Sequence, residues 1–302
     1  MKIAVFSDIH ANIYAFRAAL ADAAACDVTD YFFLGDVITD LPWPNEVIDT
    51  IRSLPNVKAI RGNREQGLKA LENDSTLTEY HQYASLYRTY EFLSTENRAY
   101  IASWPDSLAV NLNGTDFFLH HKPEDIWGAN VNTLRHSTVG SLAEYANLSR
   151  KILCKHQSAM APGVYLYGHF HGQWHDRVGD VLAVNPGSCG QAALGETRGT
   201  YSILSVHDGQ WNVDERQVEY DRARTLRELR ASAMYRVSPI WSEVVSIIIE
   251  SGNDVLPDFF AHMNQACADR GITSRPYPND IWDIEGRRWL EQIRNKIAEC
   301  RN

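Results

Sequence analysis

Short apolar runs alternate with helical stretches over roughly the first 65 residues, and this pattern limits the chain to few folds. Residues 3–6, 31–34 and 57–60 read as strands. Between them, the alanine-rich stretch 12–25 and residues 44–54 read as helices, with Pro44 acceptable in a first turn. Strand–helix–strand repetition implies a largely parallel sheet, and so an α/β architecture. In such sheets, functional side chains gather beyond the carboxyl ends of the strands.

The strand ends share one theme. The first run leads into Ser7-Asp8-Ile9-His10, the second into Gly35-Asp36 and the third into Arg61-Gly62-Asn63. Two later runs, 117–119 and 164–167, lead into His120-His121 and Gly168-His169-Phe170-His171. One Asp-x-His or Gly-Asp alone is ordinary turn chemistry. Five strand ends that all deliver Asp, Asn or His point to a metal centre. Carboxylate, amide oxygen and imidazole without thiolate suit Mn, Fe, Zn, Co or Ni. Seven such side chains are too many for one ion. They fit two divalent ions roughly 3.5–4 Å apart that share a carboxylate, the clamp used in hydrolytic phosphoryl transfer.

Composition narrows the partners. The chain has 302 residues and a formal charge of −9, with no Lys/Arg-rich stripe, so there is no strong nucleic-acid signature. The five cysteines are scattered and form no CxxC pair, which argues against a disulfide framework or a thiolate zinc site. Cys189 reads as a small buried residue. The N-terminal apolar run is too short for a signal peptide or a membrane span, so a cytoplasmic protein is expected.

Residues 66–104 read mostly as helix, Asn113-Gly114 and Asp208-Gly209 as hairpin turns, and 141–159 as a helix with capping-box spacing at Ser141 and Glu144. After about residue 220 only helices are expected, at 240–249, 256–268 and 283–300. The expected division is therefore 1–220, carrying the site, and 221–302, a helical C-terminal extension packed on or beside it. Arg222, Arg224, Arg227 and Arg230 read as a solvated helix face. Trp241, Phe259, Phe260, Trp282 and Trp289 read as core that packs the extension down, the alternative being anchors for a partner or a homodimer. Phe170 and Trp174 also read as core.

The ordered set Asp-x-His, Gly-Asp, Gly-Asn, strand-end His and Gly-His-x-His resembles the calcineurin-like metallophosphoesterases. Longer stretches are similar to a bacterial branch of that family. Asp8-Ile9-His10-Ala11-Asn12 resembles its DIHGN, and Leu34-Gly35-Asp36 its LGD. Leu41-Pro42-Trp43-Pro44-Asn45-Glu46-Val47 resembles GPxPxEV, Leu119-His120-His121-Lys122-Pro123 resembles L-H-G-x-P, and Asn185-Pro186-Gly187-Ser188-Cys189-Gly190-Gln191 resembles NPGSVGQ. The likeness covers about residues 1–215. It implies a two-sheet sandwich flanked by helices (αββα).

Carried over residue by residue, the resemblance implies one metal held by Asp8, His10, Asp36 and His171. It implies a second held by Asp36, Asn63, His120 and His169, with Asp36 bridging and manganese favoured. His120 matches the family position better than His121, which stands where relatives often have glycine. The implied reaction is hydrolysis of a phosphate ester, a small molecule or nucleotide, by a metal-bridging hydroxide without a covalent enzyme intermediate. Asp36, Asn63, Arg64, His120 and His169 would serve catalysis.

Two positions depart from the family pattern. Arg64 replaces the histidine of GNHD. An arginine binds phosphate but is a poor proton donor, which favours phosphodiesters or good leaving groups. Alternatively, Arg64 pairs with a carboxylate such as Glu65 or Asp74. Ala11 replaces the glycine of DIHGN. The competing reading of function is a catalytically weak metallophosphoesterase-like scaffold that binds a protein partner.

Overall fold

The computed structural model describes residues 1–128, 140–273 and 275–299. Its first half runs β1 (Lys2–Phe6), α1 (Ile13–Ala25), β2 (Asp30–Phe33), α2 (Pro44–Ser53), β3 (Val57–Ala59), α3 (Asn63–Asn73), α4 (Ala84–Phe92), α5 (Thr95–Ala102), β4 (Ser107–Leu112), β5 (Thr115–His120) and α6 (Glu124–Trp127). There follow α7 (Leu142–His156), β6 (Gly163–Leu166), β7 (Gln173–Val178), β8 (Val181–Pro186), β9 (Gly199–His207) and β10 (Gln210–Val218). Helices alone complete the described chain: α8 (Arg222–Ala231), α9 (Ala233–Val237), α10 (Pro239–Ser251), α11 (Leu256–Ala268) and α12 (Asn279–Glu299). The expected last helix begins four residues earlier than position 283, and its expected end at Cys300 lies outside the described residues.

The strands form two five-stranded mixed sheets, ordered β10-β9-β1-β2-β3 and β4-β5-β6-β8-β7. Parallel pairing joins β1, β2 and β3 in one sheet and β5, β6 and β8 in the other. The two-sheet sandwich is therefore the fold. Period-two alternation explains how it packs. Ile3 and Val5 of β1, with Phe117 and Leu119 of β5 and Leu166 of β6, fill the space between the sheets. Ala4 and Phe6 point the other way, under α1. Phe118 and Tyr165 stack on the opposite outer face.

Two edge strands are longer than their apolar pattern suggests. β7 reads QWHDRV and was not expected as a strand, and β10 continues beyond 211–213 through DERQV. Both lie at sheet edges, where charged side chains are tolerated and block pairing with other chains.

The C-terminal helices form their own apolar cluster around Trp241, Phe259, Trp282 and Trp289. It also takes in Ala11 and Leu41 from the strand-end loops. The large aromatics thus bury themselves within the chain. The arginines of α8 face outward and meet carboxylates: Arg224 pairs with Glu228, and Arg230 with Glu250. Among the described residues, no helix is long and apolar enough to cross a membrane.

Candidate metal centre

The loops after β1 and β2 are knitted together by backbone hydrogen bonds. The amides of Asp8, His10 and Ala11 donate to the carbonyls of Gly35, Asp36 and Val37 at 2.9–3.0 Å. The Glu65 carboxylate accepts from the amides of Asp36, Val37, Ile38 and Gly62 and so locks the third strand end onto the second. The glycine of Gly-Asp is required: Gly35 has φ +92°, and a Cβ there would lie 2.2 Å from the Gly62 nitrogen. Asp8, His10, Ala11, Asp36, Thr39, Asp40 and His169 all have φ between 49° and 74°, a left-handed cluster of non-glycine residues. Such conformations persist only where the surroundings enforce them, and they concentrate at functional sites.

Two groups of side chains have donor atoms placed to hold an ion: Asp8, His10 and His171, and Asp8, Asp36 and His121. In the first, the Nε2 atoms of His10 and His171 face each other at 3.3 Å. His171 Nδ1 lies 2.7 Å from the Gln191 carbonyl, and His10 Nδ1 lies 3.0 Å from Asp40 Oδ2. The Gln191 carbonyl places the His171 ring proton on Nδ1, so its Nε2 turns a lone pair toward the His10 ring. Asp8 Oδ1, 3.5 Å from His171 Nε2, is buried without a hydrogen-bond partner. In the second group, His121 Nδ1 donates to the Leu34 carbonyl at 2.8 Å. Its Nε2 faces Asn63 Oδ1 at 3.0 Å and Asp36 Oδ2 at 3.5 Å. Both arrangements need positive charge between the donors, from a proton or a cation. The donor set therefore fits divalent metal.

The titration behaviour has the same cause. Burial pushes the Asp8 carboxyl up, but His171, His121 and His10 outweigh it and hold it far below the usual carboxylate range. Asp36 is depressed likewise, with His121 overcoming burial. Burial works against the His121 imidazolium, yet Asp36 and Asp8 raise it to about 9. His169 falls to about 3, through burial and then repulsion from His121. Glu65 rises to about 7, through burial and the nearby Asp36 charge.

Six of the seven expected ligands, Asp8, His10, Asp36, Asn63, His169 and His171, converge here. The expected His120 belongs to neither group, and His121 is the histidine whose ring nitrogen lies with Asp8 and Asp36. Phe117 and Leu119 face the space between the sheets, so alternation turns residue 121 inward and residue 120 outward. His120 lines a surface hollow with Arg61, Asp106 and Lys122, to which His121 also contributes. Asp8 belongs to both groups, and Asp36 lies beside it in the second.

Asp40 had drawn no attention in the sequence. It is 1% exposed and meets His10, Gln191 Nε2 at 3.1 Å, the Trp241 indole N–H at 2.8 Å and Arg64 Nη2 at 3.4 Å. Arg64 thus pairs with Asp40, not with Glu65 or Asp74, and its guanidinium lies 5.4 Å from the Trp241 ring centroid. Cys189 is fully buried and its thiol is pushed up by burial, which suits packing and not nucleophilic attack. The loop after β8 is a buttress: Asn185 donates to the Phe170 carbonyl and Ser188 to that of Asp8.

A cavity of about 730 Å³ opens over the centre. His10, Asp36, Asn63, Arg64, His169 and His171 line its floor. Leu256, Phe260, Asn264 and Arg275 of the C-terminal region form its roof. The helical extension is therefore a wall of the site.

Comparison with known proteins agrees with this picture. Solved structures of similar fold include a metallophosphoesterase from Sphaerobacter thermophilus (TM-score 0.59, 24% identity, covering 83% of this chain and 100% of that one). A hypothetical protein from Pyrococcus horikoshii OT3 gives a TM-score of 0.58 at 22% identity, covering 80% of this chain and 97% of that one. An uncharacterised protein of Methanocaldococcus jannaschii is 27% identical over 237 residues, 72% of this chain and 88% of its own. Residues 1–209 match the family model described as the calcineurin-like phosphoesterase superfamily domain. With a match over so much of the chain, and with Asp, Asn and His converging from five strand ends, the protein belongs to the calcineurin-like phosphoesterase superfamily.

Proposed function

We propose that this protein is a dinuclear metal-dependent phosphoesterase. The observation that carries the reading is the facing pair His10 and His171 beside the unpartnered Asp8 oxygen, next to the His121–Asp36 pair. Asp8, His10, Asp36 and His171 would hold one ion. Asp36, Asn63, His121 and His169 would hold the other, with Asp8 close to both. Manganese is favoured among the ions that accept such mixed donors. When bound, the ions would acidify water and neutralise charge on the phosphoryl oxygens.

The chain's own residues do the rest. Asp40 and the Gln191 carbonyl fix the rings of His10 and His171. Arg64, 26% exposed at the cavity wall, offers a permanent cation to a phosphoryl oxygen. Asp40 and Asp36 outweigh burial and hold Arg64 even more firmly protonated, so it cannot serve the leaving group as an acid. That favours phosphodiesters, or esters with good leaving groups, over alkyl phosphomonoesters.

The test is hydrolysis of bis-p-nitrophenyl phosphate and p-nitrophenyl phosphate by metal-stripped protein, with and without Mn²⁺, alongside Asp36→Asn. Metal-dependent cleavage that the substitution abolishes is the expected result, with the diester cleaved faster. Binding of two ions with no cleavage under any divalent metal would overturn the reading and leave a partner-binding scaffold.

A further inference from the structure

Beside the metal centre lies a recess of about 250 Å³. It shares Asn63, Arg64, Phe260 and Arg275 with the larger cavity, so the two spaces adjoin at these residues. Whole-ligand pockets usually measure roughly 300–1,000 Å³, so the recess suits one substituent of a ligand whose phosphate sits in the larger space. Its walls are aromatic: Tyr83 just before α4, Trp241 of α10, Phe260 of α11 and Tyr277 ahead of α12. Thr39 and Ser85, which bear hydroxyls, also line it, together with Asp40, Gln82, Leu86 and Trp282. Thr39 and Ser85 are 1% and 4% exposed, and neither hydroxyl has a hydrogen-bond partner in the protein.

Buried hydroxyls are almost always paired, and leaving one unpaired is costly. A recess built for a plain hydrocarbon ring would leave both unpaired once filled. Aromatic walls with two hydroxyls, each able to donate or accept, suit a flat ring with nitrogen or oxygen atoms at its edge.

We propose that the recess is a specificity pocket for a planar heterocycle. The ester cleaved at the metal centre would then be of nucleoside type, with its ring between these aromatics. The hydrolytic part of this inference rests on the phosphoesterase reading above, whereas ring binding in the recess does not.

Two measurements test it. The first is adenosine binding to the metal-free protein, followed by tryptophan fluorescence. The second compares kcat/KM of the Mn²⁺-loaded protein for thymidine 5′-p-nitrophenyl phosphate and methyl p-nitrophenyl phosphate, which share a leaving group. Saturable adenosine binding and a preference of about tenfold or more for the nucleoside ester are expected. Ser85→Ala should weaken adenosine binding by about tenfold, and Leu86→Phe, which fills the recess from its wall, should abolish it. Both variants should cleave the methyl ester at the wild-type rate. Absence of adenosine binding at millimolar concentration, equal use of the two esters, or binding indifferent to both substitutions would each overturn the proposal. Adenosine binding sensitive to both substitutions, with neither ester cleaved, would keep the pocket and sink the phosphoesterase reading.

Discussion

Replacing Asp40 by asparagine tests whether the buried carboxylate tunes the centre or merely fills space. In the native protein its two oxygens serve His10, Gln191, Trp241 and Arg64, all within 3.4 Å. Burial pushes its carboxyl up, but Arg64 and His10 more than offset this and keep it ionised. Asparagine has one acceptor oxygen, so it can satisfy Trp241 or His10 but not both. It also turns an N–H₂ toward groups that are themselves donors. The charge beside the His10 ring is lost. Partners of metal-ligating histidines are typically worth about 10–100-fold in metal affinity, or ~1.4–2.8 kcal/mol. We expect Asp40→Asn to weaken Mn²⁺ binding by that factor in calorimetric titration while near-ultraviolet circular dichroism stays native. A folded variant with unchanged affinity would refute the reasoning and make Asp40 a simple counter-ion for Arg64.

Three further predictions follow from the geometry. His121→Ala should lose one of two bound ions, measured by metal analysis after dialysis, whereas His120→Ala should keep both; the opposite pattern would reverse the assignment of inward and outward faces. Arg64→His should raise turnover of alkyl phosphomonoesters relative to p-nitrophenyl esters, and an unchanged leaving-group dependence would remove the argument for diesters. Asp22 accepts a two-pronged contact from Arg216 at 2.8 and 3.0 Å and a hydrogen bond from Tyr201, and Arg216 foremost depresses its carboxyl in spite of burial. That stabilisation is present above the unfolded value near 3.9 and fades as pH falls through the lower folded value. Asp22→Asn should therefore cost ~1 kcal/mol in urea unfolding at neutral pH. The cost should shrink in acid below the folded value, and a pH-independent difference would show that the pair's charge is irrelevant.

The parallel strands were legible as short apolar runs, five of them ending in ligand-type residues, whereas the two-sheet sandwich was what the family resemblance implied. What the sequence concealed has specific causes. β7 was missed because an edge strand with one solvated face can carry His175, Asp176 and Arg177. Family spacing points to His120, whereas alternation through Phe117 and Leu119 sets His121 beside Asp36. Asp40 carries no local signal, because its partners come from positions 10, 64, 191 and 241 and meet only in the fold. The part played by the C-terminal helices was invisible for the same reason: Trp241 reads as core, and it is core, yet its indole N–H reaches a carboxylate that touches a candidate ligand.

The left-handed loops carry a consequence for transplanting this centre. Seven residues, none of them glycine, stand at positive φ around it. Each such conformation costs of order 1 kcal/mol, against a net stability of about 5–15 kcal/mol for a whole domain. The surrounding sheets and the helical cluster against Ala11 and Leu41 keep them there. Peptides spanning residues 8–12 and 35–40, or those loops grafted onto a smaller scaffold, would keep Asp8, His10 and Asp36 and still relax out of register. The centre is a property of the entire fold and does not travel as a motif.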